Sequence, residues 1–112
     1  MRRAALFLAL LAAPAGAQDA VNDYPTSARA DYVLGCMAAN GQTREALERC
    51  SCSIDVIASI LPYARYLQAE TVLSMRQTTG QAASMFRNNP HLNEVLAELR
   101  RAQAEAEVQC FP

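Results

Sequence analysis

The sequence of 112 residues contains no lysine and no tryptophan, and it has a single histidine. All ten basic residues are arginines, and they are scattered along the chain rather than clustered. A nucleic-acid-binding surface needs positive charge concentrated on one face, where it meets the phosphates. We therefore predict that nucleic acid is not a partner.

The sequence also lacks the residue clusters that mark common active sites. His91 falls in the first turn of a predicted helix, where a solvated surface position is expected. The four glycines form no phosphate-binding loop, and the serines around Cys50 and Cys52 have no histidine close in sequence. We predict no enzyme, no catalytic residue and no cofactor.

Long apolar runs are absent except near the N terminus. There, Arg2 and Arg3 precede the apolar run 4–13, and the small residues Ala15-Gly16-Ala17 follow it. The run is shorter than the roughly 20 residues of a membrane-spanning helix, and the small residues fit a signal-peptidase site. The pattern predicts a cleaved signal peptide over residues 1–17, a periplasmic location, and no membrane attachment after cleavage.

The mature chain is expected to be one small acidic domain. Removal of the signal peptide leaves 8 of the 10 arginines against 11 acidic residues, a formal charge of −3. Residues 18–25 are polar and end at a proline, which predicts a flexible leader, and residues 26–112 form a single domain. A domain of this size buries a modest core, so covalent bridges are useful to it.

Apolar residues recur at helical spacing through this domain, and no alternating strand pattern appears. The sequence predicts an all-α fold, a small disulfide-stapled bundle of four to five helices. The expected helices cover residues 28–39, 44–61, 67–78, a short segment 81–87, and 90–110.

Polar residues precede three of these helices and are expected to cap them: Thr26 or Ser27, Thr43, and Asn89. Pro62 is expected to end the second helix, and residues 62–66 to form a corner before the third. The predicted inward stripe of the second helix is Leu47, Cys50, Ile54, Ile57 and Leu61. The predicted buried face of the third helix is Leu67, Thr71, Val72 and Met75.

Four cysteines in an exported small domain indicate two disulfides. On one helix, Cys50 and Cys52 lie about 200° apart around the axis, so each needs a different partner. A short connection makes the first two helices antiparallel and brings Cys36 near Cys50. We therefore favour Cys36–Cys50 with Cys52–Cys110; the alternative, Cys36–Cys52 with Cys50–Cys110, stays open because a short loop can rotate the second helix.

The close pair Cys50 and Cys52 also admits a second interpretation, a copper or zinc site or a thiol-redox site. Reactive cysteine pairs lie at the start of a helix with two residues between them. Cys50 and Cys52 instead lie in the middle of a predicted helix with one residue between them, which argues against this interpretation. We assign no metal ligand on this basis.

Three short segments, 32–37 (YVLGCM), 50–55 (CSCSID) and 110–111 (CF), carry a resemblance. Together they resemble a group of uncharacterised small periplasmic proteins of proteobacteria with four cysteines and a helical build, over residues 26–112. The resemblance implies the cysteine framework and an accessory role. We therefore predict a non-enzymatic accessory or protein-binding module, a monomer or weak dimer whose partner is another periplasmic protein.

The predicted interface combines the tyrosines of the corner with the segment before Asn88. Tyrosine, methionine, phenylalanine and arginine are enriched where proteins meet, and the alternative is that these residues belong to the core. The candidate interface residues are Tyr63, Tyr66, Met85, Phe86 and Arg87.

Overall fold

The computed structural model describes residues 22–77, 80, 84 and 87–112. This part of the chain is helical and contains no strand, so the predicted all-α class is confirmed. The predicted signal peptide 1–17, the leader residues 18–21, and residues 81–83, 85 and 86 of the predicted short helix lie outside the described residues. The helices are α1 (Thr26–Asn40), α2 (Arg44–Ile60), α3 (Tyr63–Gln77) and α4 (Pro90–Cys110).

Two of the three predicted caps are confirmed. The Thr43 hydroxyl accepts a hydrogen bond from the Ala46 N–H, and the Asn89 carboxamide oxygen accepts from the first N–H groups of α4. The prediction for α1 is wrong, because this helix begins at Thr26 without a side-chain cap. The carbonyl of Pro25 already accepts the first helical hydrogen bond, from the Arg29 N–H at 3.1 Å.

The predicted corner over residues 62–66 is also wrong, because α3 begins directly after Pro62. A residue before proline avoids the helical conformation, and Leu61 accordingly takes extended angles (φ −115°, ψ 116°) that end α2. The Pro62 carbonyl then accepts from the Arg65 and Tyr66 N–H groups and starts the next helix. The tyrosines of the predicted corner, Tyr63 and Tyr66, therefore lie in the first turn of α3.

The core forms where α2 and α3 pack against α4. The α2 stripe is confirmed at its buried positions, although Leu47 is 36% exposed. The face predicted for α3 is confirmed at Val72, which is buried, but wrong at Thr71, which is exposed, at Leu67, which is 50% exposed, and at Met75, which is 40% exposed. Burial of the large Tyr66 ring places Tyr66 and Ala69 on the inward face together with Val72.

The N-terminal boundary of the packed structure precedes α1. Tyr24 is 3% exposed, and its hydroxyl donates to the Leu61 carbonyl at 2.6 Å. Its ring lies 5.1 Å from the ring of Tyr63 and 5.0 Å from that of Tyr66. The predicted flexible leader over 18–25 is therefore wrong at Tyr24, because one aromatic side chain is enough to dock an otherwise polar segment on the core.

Two disulfides connect α2 to a helix on either side. Cys36 of α1 bonds Cys50, and Cys52 bonds Cys110 at the end of α4, with Cα atoms 5.8 Å apart in each pair. This is the favoured pairing, which is confirmed. Beside the second bridge, the Arg49 guanidinium lies over the Phe111 ring, 5.8 Å from its centroid.

The first helix holds a peripheral position. No residue of α1 is fully buried, and only Tyr32 and Val33 pack partly against the core. The bridge from Cys36 is therefore a principal attachment of α1 to the rest of the domain. None of the helices in the described ranges is long and apolar enough to cross a lipid bilayer.

Candidate functional site

A groove runs between α1 and α3. The first helix packs on α2 rather than along α3, and an open volume of about 830 Å³ lies between α1 and α3. Residues from both helices line it, among them Asp31, Tyr32 and Gly35 from α1 and Tyr66, Leu67 and Glu70 from α3. This groove is the candidate functional site.

Tyrosines form the deep part of the groove. Tyr63 and Tyr66 stack with ring centroids 6.3 Å apart, and Tyr66 is buried while Tyr63 is half-buried. Burial raises the pKa of Tyr66 far above its ordinary value, and the negative charge of Glu70 adds to the effect. Burial likewise raises the pKa of Tyr32, partly offset by a hydrogen bond with Ser53. These phenols therefore stay neutral and act as apolar rings with a polar tip.

Two carboxylates face the groove without a cation. Asp31 lies on α1 and Glu70 lies half-buried on α3; within the described part of the chain, neither makes a hydrogen bond or an ion pair. Burial raises the pKa of Glu70, and the charge of Asp31 raises it further. Among the described residues, four other acids have an arginine partner, as in Glu45–Arg49 at 2.6 Å and Glu98–Arg65 at 2.9 Å. The groove thus has uncompensated negative charge.

Replacing Glu70 with Gln is expected to raise Tm at pH 7 but not in acid. A raised pKa means that the folded state binds the proton more tightly than the unfolded state. The stabilisation is therefore present below the ordinary pKa of glutamate and lost as pH rises through the folded pKa. Glutamine does not ionise and avoids that loss. The difference in Tm between Glu70→Gln and the wild type should therefore shrink to zero below about pH 4.

Thermal melts of the wild type and Glu70→Gln across pH measure this difference, and Glu105→Gln, on the exposed face of α4, is the control. A gain in Tm that is equal at all pH values would show that loss of the carboxylate charge is not its cause.

A smaller cavity of about 240 Å³ is lined by Tyr32, Ser53, Gln103 and Glu107 and shares Cys36 with the groove. Ser53 is buried, and its hydroxyl donates to the Arg49 carbonyl at 3.1 Å. This cavity lies towards the end of α4, whereas His91 is at its start, about 18 Å away along the helix axis for a rise of 1.5 Å per residue. Ser53 therefore has no histidine within reach to act as its base.

The predicted interface residues are divided by the structure. Tyr63 and Tyr66 meet at the groove, whereas the exposed Arg87 donates from its guanidinium to the Arg76 carbonyl at 3.2 Å. The remaining two predicted residues, Met85 and Phe86, lie outside the described residues. Sequence reasoning missed the groove carboxylates, because only the packing of α1 on α2 brings them to opposite walls.

All four cysteine sulfurs are engaged in disulfides. A metal site on Cys50 and Cys52 needs thiolates, so it would require reduction of both bridges first. In the described part of the chain, no three His, Cys, Asp or Glu side chains are grouped as a metal site. Comparison of the chain with protein-family models, curated proteins and solved structures finds no match.

Proposed function

We propose that the protein is an exported periplasmic accessory protein that acts without catalysis, by binding another periplasmic protein in the groove between α1 and α3. The observation that carries the proposal is the pair of carboxylates, Asp31 and Glu70, in an open groove that offers them no cation. Glu70 is half-buried without a cation while Asp31 is exposed, and half-burying the unpaired charge of Glu70 is unfavourable in the free protein. A partner that supplies a cation removes this penalty and gains affinity from it.

The walls of the groove have the composition of a protein interface. Tyrosine rings from both helices line the groove, and Leu67 adds an apolar side chain that is 50% exposed. Interfaces combine apolar and aromatic centres with polar edges in this way. An exposed leucine alone is ordinary, but one beside tyrosine rings and unpaired carboxylates in the same groove favours a docking surface.

Export is supported by the covalent framework and by the N-terminal sequence. Disulfides persist in oxidising compartments such as the bacterial periplasm, and both bridges here join separate helices. The apolar run 4–13 with small residues after it supports a cleaved signal peptide. The resemblance of the cysteine framework to small periplasmic proteins agrees with this location.

Site-specific photo-crosslinking in the cells that make the protein tests the proposed binding. A photoreactive amino acid replaces Leu67 on the groove wall, and in a matched control it replaces Val108, which is 73% exposed on α4. We expect a covalent adduct with one defined protein from position 67 and none from position 108. Equal adducts from both positions, or none from position 67, would contradict a binding role for the groove.

Mass spectrometry of the purified chain separates this proposal from the thiol alternative. The expected mature chain begins after Ala17, weighs four hydrogens less than its fully reduced form, and carries no metal. Four thiols that react with a labelling reagent, or one bound equivalent of copper or zinc, would favour a metal or redox role instead.

A further inference from the structure

No interaction within the described structure explains why residue 35 is a glycine. It lies in the interior of α1, where glycine destabilises a helix relative to alanine. Its backbone is helical and not left-handed, since among the described residues only Gly41 and Gly80 have a positive φ. A Cβ atom built at Gly35 meets nothing within 4 Å. Neither backbone geometry nor packing within the described structure requires a glycine here.

Gly35 faces the groove beside its uncompensated charge. It lies four residues after Asp31, so the two share one face of α1, and both line the groove with Glu70 on the opposite wall. A missing side chain next to two carboxylates lets another backbone approach α1 closely while a basic side chain reaches the acids. Close backbone approach is the ordinary reason for glycine at such a position.

We propose that the groove receives an α-helical segment of the partner protein, with its backbone against Gly35 and an arginine or lysine side chain between Asp31 and Glu70. This inference rests on the proposed function and adds the chemistry of the partner. The apolar face of the segment packs on Leu67, which lines the groove and is 50% exposed. The segment therefore combines small and apolar residues with one central basic residue.

The dimensions of the groove fit a helix. Its lining runs along α1 from Ser27 to Asn40, roughly 20 Å at 1.5 Å per residue, which matches a partner helix of about 13 residues. Both walls are helices, and the described residues contain no sheet edge for an extended peptide to join. A small free amine could neutralise the carboxylates but would use neither Gly35 nor Leu67. Two copies docked groove to groove would bring the carboxylates of Asp31 and Glu70 against those of the other copy, and these like charges repel.

The experiment uses the segment that crosslinks to position 67, identified by sequencing the adduct and then synthesised as a peptide. Its affinity for the oxidised mature protein is measured by isothermal titration. We expect at least a tenfold loss of affinity when the basic residue of the peptide becomes glutamine. We expect a similar loss for Asp31→Asn with Glu70→Gln in the protein, and no change for Glu105→Gln.

Gly35→Ala separates binding from folding. Because alanine is the better helix former and its Cβ meets only open space, this variant should melt about 4 °C higher than the wild type. It should nevertheless bind the peptide at least tenfold more weakly. A gain in stability together with a loss of affinity cannot result from misfolding, so this pair of measurements isolates contact with the partner.

The outcomes distinguish the two proposals. Absence of an adduct from position 67 contradicts the proposed function itself. An adduct whose binding is unchanged by Gly35→Ala and by removal of the carboxylates overturns this inference and leaves the binding role in place. An adduct with a second copy, with residues 18–21 of the same chain, or tight binding of spermidine that saturates the groove would also overturn it.

Discussion

Replacing Cys52 and Cys110 together with alanine is expected to lower Tm by about 20 °C. This bridge closes a sequence separation of 58 residues, and in the chain-entropy model such a loop contributes about 4 kcal/mol by restricting the unfolded chain. A domain of fewer than a hundred residues loses about 4 to 8 °C per kcal/mol. Circular dichroism melts of the double variant measure the loss.

The bridge between Cys36 and Cys50 provides the contrast. It closes a sequence separation of 14 residues, and in the chain-entropy model it contributes about 3 kcal/mol to stability. The helix that it attaches, α1, has no fully buried residue. Removing it with the corresponding alanine pair should therefore release α1 locally, with rapid amide exchange confined to residues 26–40.

Ser51→Ala, between the two bridged positions, is the control and should change Tm little. Its hydroxyl donates to the Leu47 carbonyl and does nothing to connect helices. If reductant left the Tm and helicity of the wild type unchanged, the assignment of the sulfurs to structural bracing would be wrong.

Tyr24→Ala is expected to destabilise the fold by about 3 to 5 kcal/mol, a typical range for deleting a buried aromatic ring. The ring fills the space between Tyr63, Tyr66 and the end of α2, and its hydroxyl satisfies the carbonyl of Leu61. Tyr24→Phe keeps the ring and should cost about 1 kcal/mol, the net value of one hydrogen bond. Urea unfolding of both variants gives the two free energies.

The half-buried Tyr63 supplies the matched control, since Tyr63→Phe should cost less than Tyr24→Phe. A chain that begins at Pro25 should lose as much stability as Tyr24→Ala. Unchanged stability in that shortened chain would show that residues 22–24 are not part of the folded unit.

Local signals in the sequence predicted the architecture well. The cap at Thr43 and the Asn89-Pro90 start of α4 depend on neighbouring residues, and both are found in the structure. The cysteine pairing followed from the angular separation on α2 and the short α1–α2 connection. It is confirmed because the loop does not rotate α2 away from Cys36.

Errors arose where a tertiary contact decides the outcome. The docking of Tyr24 carries no periodic signal, and the buried face of α3 depends on which of its residues packs on the tyrosine cluster. Leu67 fits a helical stripe equally well, but Tyr66 takes the buried position. The groove was not predicted because it results from α1 packing on α2 rather than on α3, which no local pattern encodes. Gly35 was its one visible signal, as a glycine inside a helical pattern.

Because α1 lies at the periphery of the domain, binding of a partner in the groove and oxidation of the Cys36–Cys50 pair should affect each other. One wall of the groove is α1, which a single disulfide joins to the rest of the domain. Loss of that disulfide therefore also removes the surface to which a partner would bind. By thermodynamic reciprocity, a guest seated there must in turn protect the Cys36–Cys50 link against thiol attack. In a reducing medium, the Cys36–Cys50 disulfide should therefore persist longer in molecules with a bound partner than in molecules without one.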